Sequence, residues 1–196
     1  MNLKYYIILV SILNLSCKPK IENYCYPSLE KIKEQKIDTL KLNEFKNYNQ
    51  FLNKLENLNF KGSGYGFLLL KKGNKVFNLM VTTKHGFCFN SRITKRKNLI
   101  TVSENCIIKN EKLFHLNSFG KILKKDLENN GRETSFAESS HKLKISLALQ
   151  KSENFINLEK YLIYLIEEFN KLNTEKEFEL NIQLDRNFHH FQKYPF

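Results

Sequence analysis

Apolar positions along the chain change period several times, and each change marks a boundary between elements. Phe45, Tyr48, Phe51, Leu52, Leu55 and Leu58 recur at steps of three and four, the spacing of one helix face. With Asn43 as N-cap and Glu44 beside the positive helix end, they predict an amphipathic helix from Asn43 to Leu58. A shorter helix is expected from Ser28 to Gln35, with Leu29 and Ile32 facing inward. From Lys61 the period shortens. Gly64 to Leu70 and Lys75 to Thr83 are apolar and rich in β-formers, and Lys71-Lys72-Gly73-Asn74 between them carries a tight-hairpin signal. Gly86 to Ile93, Leu99 to Ile108 and Leu113 to Leu116 follow, separated by a charged loop (Thr94 to Asn98) and a polar turn (Lys109-Asn110-Glu111-Lys112). These runs predict a meander of about five antiparallel strands.

Phe119, Ile122, Leu123 and Leu127 then mark a short helix that Asn130-Gly131 would stop, and Arg132 to Ser140, without a period, predicts an exposed loop. Leu143, Ile145, Leu147 and Leu149 alternate with polar or small residues, as do Phe178, Leu180, Ile182 and Leu184, so each segment buries one face of a strand. Between them Ser152 caps a helix to about Asn173, with Phe155, Leu158, Leu162, Leu165, Phe169 and Leu172 in one stripe. The expected fold class is α+β: the meander, a C-terminal strand-helix-strand unit, and helices packed on one face of the sheet in two layers. Residues 28–196 form a single domain in this reading, with no repeat or second-domain linker.

The first seventeen residues follow another logic. Lys4 supplies one positive charge, and Tyr5 to Leu15 are eleven mostly apolar residues, the length of a signal-peptide core. At about 1.5 Å per residue they reach roughly half of the ~30 Å hydrocarbon layer, too little to span it. Ser16 and Cys17 close the run, and Lys18-Pro19-Lys20 break it. Leu13-Asn14-Leu15-Ser16-Cys17 resembles the lipobox of bacterial lipoprotein precursors, with Asn14 where that family usually carries an aliphatic residue. The resemblance implies cleavage before Cys17, a diacylglyceryl group on its sulfur and an acylated amino terminus. It also implies a protein anchored in the cell membrane or outer membrane, facing the periplasm or exterior. An ordinary secretory signal and an apolar first helix are the competing readings. Cys17 to Pro27 then reads as a tether.

Composition adds a strong positive charge. The formal net charge is +12, and removing residues 1–16, which carry only Lys4, leaves +11. Such a balance invites nucleic acid as a partner. Against it, 28 of the 32 basic residues are lysine, whereas bidentate phosphate and base recognition favours the arginine fork. Anionic lipid headgroups or an acidic protein partner fit an exported chain better than nucleic acid does.

Candidate chemistry is sparse. Gly62-Ser63-Gly64-Tyr65-Gly66 leads into a strand instead of a helix, so it reads as strand-entry glycines permitting close backbone approach and not as a phosphate cradle. His85, Cys88, Cys106 and His115 lack the paired spacing of a structural zinc site, and Glu138 with His141 has no second such pair. No metal and no cofactor is expected. With Cys17 lipidated, Cys25, Cys88 and Cys106 remain; a hairpin closed at Arg96-Lys97-Asn98 would set Cys88 opposite Cys106, the expected disulfide. Lys71, Lys72 and Lys75 at one hairpin end and Arg92, Lys95, Arg96 and Lys97 at the next turn would share one end of the meander, forming a basic rim. The aromatic tail Phe188 to Phe196 reads as a segment along the sheet edge. The expected function is non-enzymatic binding at the envelope, one version being neutralisation of a toxin. The alternative is an envelope hydrolase using a Cys and His pair.

Overall fold

The longest strand of the described chain decides where the others lie. The structure is a computed structural model and describes residues 21–26, 38–60, 66–83, 95–103, 106–148, 155–172 and 178–184. Among them nine strands form one mixed sheet: β1 Glu22–Tyr26, β2 Asp38–Leu40, β3 Gly66–Lys72, β4 Lys75–Thr83, β5 Leu99–Val102, β6 Cys106–Lys109, β7 Lys112–His115, β8 Lys144–Leu147 and β9 Ile182–Leu184. The helices are α1 Tyr48–Phe60, α2 Phe119–Glu128 and α3 Phe155–Leu172. No helix among the described residues is long and apolar enough to cross a membrane. The sheet runs β2-β3-β4-β9-β8-β5-β6-β7. Strand β4 pairs with β3 along one edge and divides the other: β1 takes Lys75 to Leu79 and β9 takes Val81 to Thr83.

The chain is α+β, as its patterning predicts, but the single meander is not formed. The antiparallel runs β3-β4 and β5-β6-β7 exist, and the strand-helix-strand unit exists, yet β9 and β8 insert between the two runs and pair in parallel with β4 and β5. Alternation shows that a strand buries one face; it does not say which strands become neighbours. The segment Leu99 to Ile108 is two strands. Its break falls at Ser103, whose N–H donates to the Cys106 carbonyl at 2.9 Å. Both edges of β5 are therefore occupied, by β8 and β6, and the hairpin register that set Cys88 opposite Cys106 is not formed. Cys106 is a free thiol. Cys88, like the expected strand Gly86 to Ile93, the helix Ser28 to Gln35 and the tail Phe188 to Phe196, lies outside the described residues. The expected tether is also shorter than read, because residues Glu22 to Tyr26 are already β1.

Local chemistry explains the turns. Gly73 takes φ +58° between β3 and β4, and Asn110 and Glu111 take φ +49° and +65° between β6 and β7. Helix α1 begins later than Asn43: the backbone passes through a 3-10 turn at Leu42–Glu44, and the cap is Asn47, whose Oδ1 accepts from the Gln50 N–H at 3.0 Å. Gln50 Oε1 accepts in return from the Lys46 N–H at 3.0 Å. Phe45, short of the helix, packs edge-on against Phe51.

All three helices cover the same sheet face. Register places Val81, Ile182, Ile145 and Ile100 side by side, all buried, with Thr83, Leu184, Leu147 and Val102 two residues on. Helix α1 reaches this face at Gly66, α3 at Tyr26 and Lys72, and α2 at Lys109. One continuous apolar cluster results, from Leu40 to Leu184. It is closely packed at Gly66, the described member of the glycine cluster. A Cβ there would stand 2.8 Å from Leu55 Cδ1 and 3.0 Å from Leu40 Cδ1. Close approach of α1 and β2 is thus the reason for glycine at this strand entry. Gly66→Ala is expected to destabilise the protein by about 1–3 kcal/mol through overpacking, read as a lower urea midpoint with an unchanged slope.

Candidate functional site

The described residues of the expected basic rim lie at one end of the sheet, for a reason the patterning did not supply. Strands β1, β4, β9, β8 and β5 all run in parallel, so they start at the same end, where the β3–β4 turn and the segment before β5 also lie. The rim is stepped. Val81 is level with Ile100 through β9 and β8, so the hairpin projects about five residues, or ~17 Å, beyond the start of β5. Lys71, Lys72 and Lys75 lie on the projecting part, Lys95, Arg96 and Lys97 on the recessed part, and Arg92 lies outside the described residues.

The two parts differ electrostatically. On the recessed part Glu138 accepts from Lys95 Nζ at 2.6 Å, Lys142 Nζ at 2.8 Å and Lys97 Nζ at 3.1 Å, while Arg96 pairs with Glu111. The three ammonium groups hold the Glu138 carboxyl well below the usual carboxylate range, Lys142 most strongly. Its own N–H donates to Asn98 Oδ1 at 2.9 Å, which ties the segment 129–143 to the turn before β5. On the projecting part Lys72 pairs with Glu167 of α3 at 2.6 Å. The Lys71 and Lys75 ammonium groups have no ion-pair partner among the described residues, although the Lys71 N–H donates to Glu159 Oε1 at 3.4 Å and Glu22 stands opposite Lys75. Two lysine ammonium groups outside any recorded ion pair therefore sit together on the β3–β4 hairpin.

Behind the recessed part lies an ion pair that the patterning missed. Lys109 Nζ donates to Asp126 Oδ1 at 2.7 Å and to the Lys97 carbonyl at 2.6 Å, with the two side chains 4% and 0% exposed. Asp126 Oδ1 also accepts from the Ala137 N–H at 2.6 Å, while Oδ2 is buried without a partner among the described residues. Burial pushes the Asp126 carboxyl up and the Lys109 ammonium down, both against the effect of their pairing. Asn129 completes the cluster: its amide donates to the Glu133 and Ala137 carbonyls at 2.9 and 2.8 Å and accepts from the Glu133 N–H at 2.8 Å. The segment expected to be an exposed loop is thus pinned, and Ala137 is buried at its centre. The signal was present in α2: Asp126 stands seven residues after Phe119 and four after Ile122, on the helix face that points inward.

Among the described residues no hydrogen bond joins a thiol to an imidazole. Cys106 and His115 face each other across β6 and β7, which the spacing alone did not show. The Cys106 thiol bonds instead with Ser103 Oγ at 3.0 Å, and His115 Nδ1 accepts from the Asn117 N–H at 3.3 Å. Cys25 lies on the opposite sheet face from Tyr24 and Tyr26, half-buried beside Asn78, and burial pushes its thiol up. His85 lies outside the described residues, and Glu138 is engaged by lysines, leaving His141 exposed. Among the described residues no group of three or more His, Cys, Asp and Glu side chains could hold a metal. No protein-family model, curated protein or solved structure matches the chain.

Two outcomes test this polar cluster. Lys109→Met should lower the unfolding free energy by about 3–5 kcal/mol, because it strands a buried carboxylate. Lys109→Met with Asp126→Asn should recover a large part of that in urea unfolding, since the amide oxygen still accepts from Ala137. Glu138 has a depressed carboxyl, so its contribution is complete above the ordinary glutamate range and is lost as pH falls below it. The stability gap between the native chain and Glu138→Gln should therefore be widest at pH 7 and close progressively below about pH 4.

Proposed function

We propose that the chain is an exported lipoprotein whose α+β domain is a non-enzymatic binding module at the cell envelope, held by acyl chains on Cys17. The observation that carries this reading is the order of the first seventeen residues: one charge, an apolar run too short to span a bilayer, Ser16, then Cys17 and an immediate charged break. Each buried CH₂ contributes about 0.8 kcal/mol to membrane binding, and two signals are needed for stable anchoring, which diacylglyceryl and amide-linked chains together supply. The domain begins almost at once, because β1 starts at Glu22. Only residues 18–21 separate the acylated residue from the sheet, so the module stays beside the surface that holds it.

A thiol hydrolase is the second reading, and the observation in its favour is the facing of Cys106 and His115. Cys106 is buried and bonded to Ser103, the environment of a structural thiol. Cys106→Ser that leaves the protein's cellular effect intact removes that reading.

Mass spectrometry of the native product should find an N-terminal peptide beginning at Cys17 and carrying ester- and amide-linked acyl groups. Cys17→Ala should abolish incorporation of a labelled fatty acid. An unmodified thiol at Cys17, or Met1 retained on the product, overturns the proposal.

A further inference from the structure

The geometry points to the projecting β3–β4 hairpin as a second, electrostatic membrane contact, seated on an anionic bilayer surface beside the acyl anchor. The inference rests on the lipoprotein reading and names the partner of that module's basic end.

Three observations converge. The first is where the chain enters the sheet. Strand β1 pairs in parallel with β4 from Glu22 opposite Lys75, and the Glu22 N–H donates to the Asn74 carbonyl in the hairpin turn at 3.0 Å. The entry point is therefore the hairpin itself. Five residues from Cys17 to Glu22 span at most ~18 Å even when fully extended, so the acylated residue cannot lie farther than that from the turn.

The second is how firmly the entry strand is held. Tyr24 stacks on Phe77 at 5.3 Å between ring centroids, and Tyr26 packs edge-on against Phe169 at 6.0 Å while its hydroxyl donates to Asn170. Because the strand is fixed to β4 and α3, only the residues before Glu22 give the anchor reach, and the hairpin end stays within that reach of the lipid.

The third is the chemistry of that end. The Lys71 and Lys75 ammonium groups enter no ion pair among the described residues, Lys18 and Lys20 precede the strand, and Ile21 is 63% exposed. Unpaired ammonium groups beside an exposed aliphatic residue suit a headgroup layer, where each lysine near an anionic surface strengthens association about fivefold. The recessed lysines, bound to Glu138, take no part.

The test uses the mature acylated protein in two kinds of vesicle, pure phosphatidylcholine and phosphatidylcholine with one-third phosphatidylglycerol. A water-soluble amine-reactive reagent reports accessibility by mass spectrometry. Lys54, exposed on α1 near the Gly66 end of β3, serves as internal reference. Labelling of Lys71, Lys72 and Lys75 should fall several-fold on the anionic vesicles relative to the neutral ones, and return as ionic strength rises from about 0.05 M to about 0.5 M. In a Lys71→Glu, Lys75→Glu chain that keeps the native circular dichroism spectrum, Lys72 should lose its protection. Equal labelling on both vesicles with Cys17 acylated overturns the inference and leaves the lipoprotein reading standing. An unmodified Cys17 in the same spectra overturns both.

Discussion

Strand β4 is the constraint from which the rest of the fold follows. It is nine residues long and serves three neighbours, so its backbone sets the level of β3, β1 and β9 at once. Through β9 and β8 the same level reaches β5, which is how residues nineteen or more positions apart in sequence arrive in one row of the core. A slip of one residue along β4 would turn Phe77, Leu79 and Val81 away from the helices and leave the apolar stripes of α1 and α3 without a surface. Two partners sharing one edge also means that β1 cannot lengthen at its C-terminal end, nor β9 at its N-terminal end, without displacing the other.

The polar cluster at the start of β5 shows a different economy. Burial of Lys109 and Asp126 works against their attraction, pushing the carboxyl up and the ammonium down, so lost hydration offsets much of what the pair contributes. What it does is specify position. Asp126 accepts from Lys109 and from the Ala137 backbone through one oxygen, and Lys109 reaches the Lys97 carbonyl, so a helix, a strand and two irregular segments are fixed by a single contact. Glu138 repeats this on the surface with three lysines. Irregular backbone that would otherwise sample many conformations is held by charge at one end of the sheet.

The element types were legible in the sequence where periodicity was long: α1, α3 and the β3–β4 hairpin follow from apolar spacing and from Gly73. Pairing was not legible. Nothing in the alternation of Ile145 and Leu147, or of Ile182 and Leu184, says that these strands enter between β4 and β5, because alternation records burial and is blind to neighbours. The lysines of the rim were identified, and so was the end they share, but by an antiparallel path that the sheet does not take. Their compensation was hidden, since Glu138 sits more than forty residues from Lys95. Asp126 was the recoverable miss: a carboxylate in line with Ile122 and Leu123 calls for a buried cation, and Lys109 was there to be found.

The parallel pairing of β1 with β4 has a mechanical consequence. Tension applied at Glu22 and directed out of the sheet end runs along the strand, across the hydrogen bonds that join Glu22 through Tyr26 to Lys75 through Leu79. Such a pull shears every rung together and cannot open them one at a time. A chain tugged by its amino end would resist as a lap joint does, with Tyr24 and Tyr26 as rivets through the overlap.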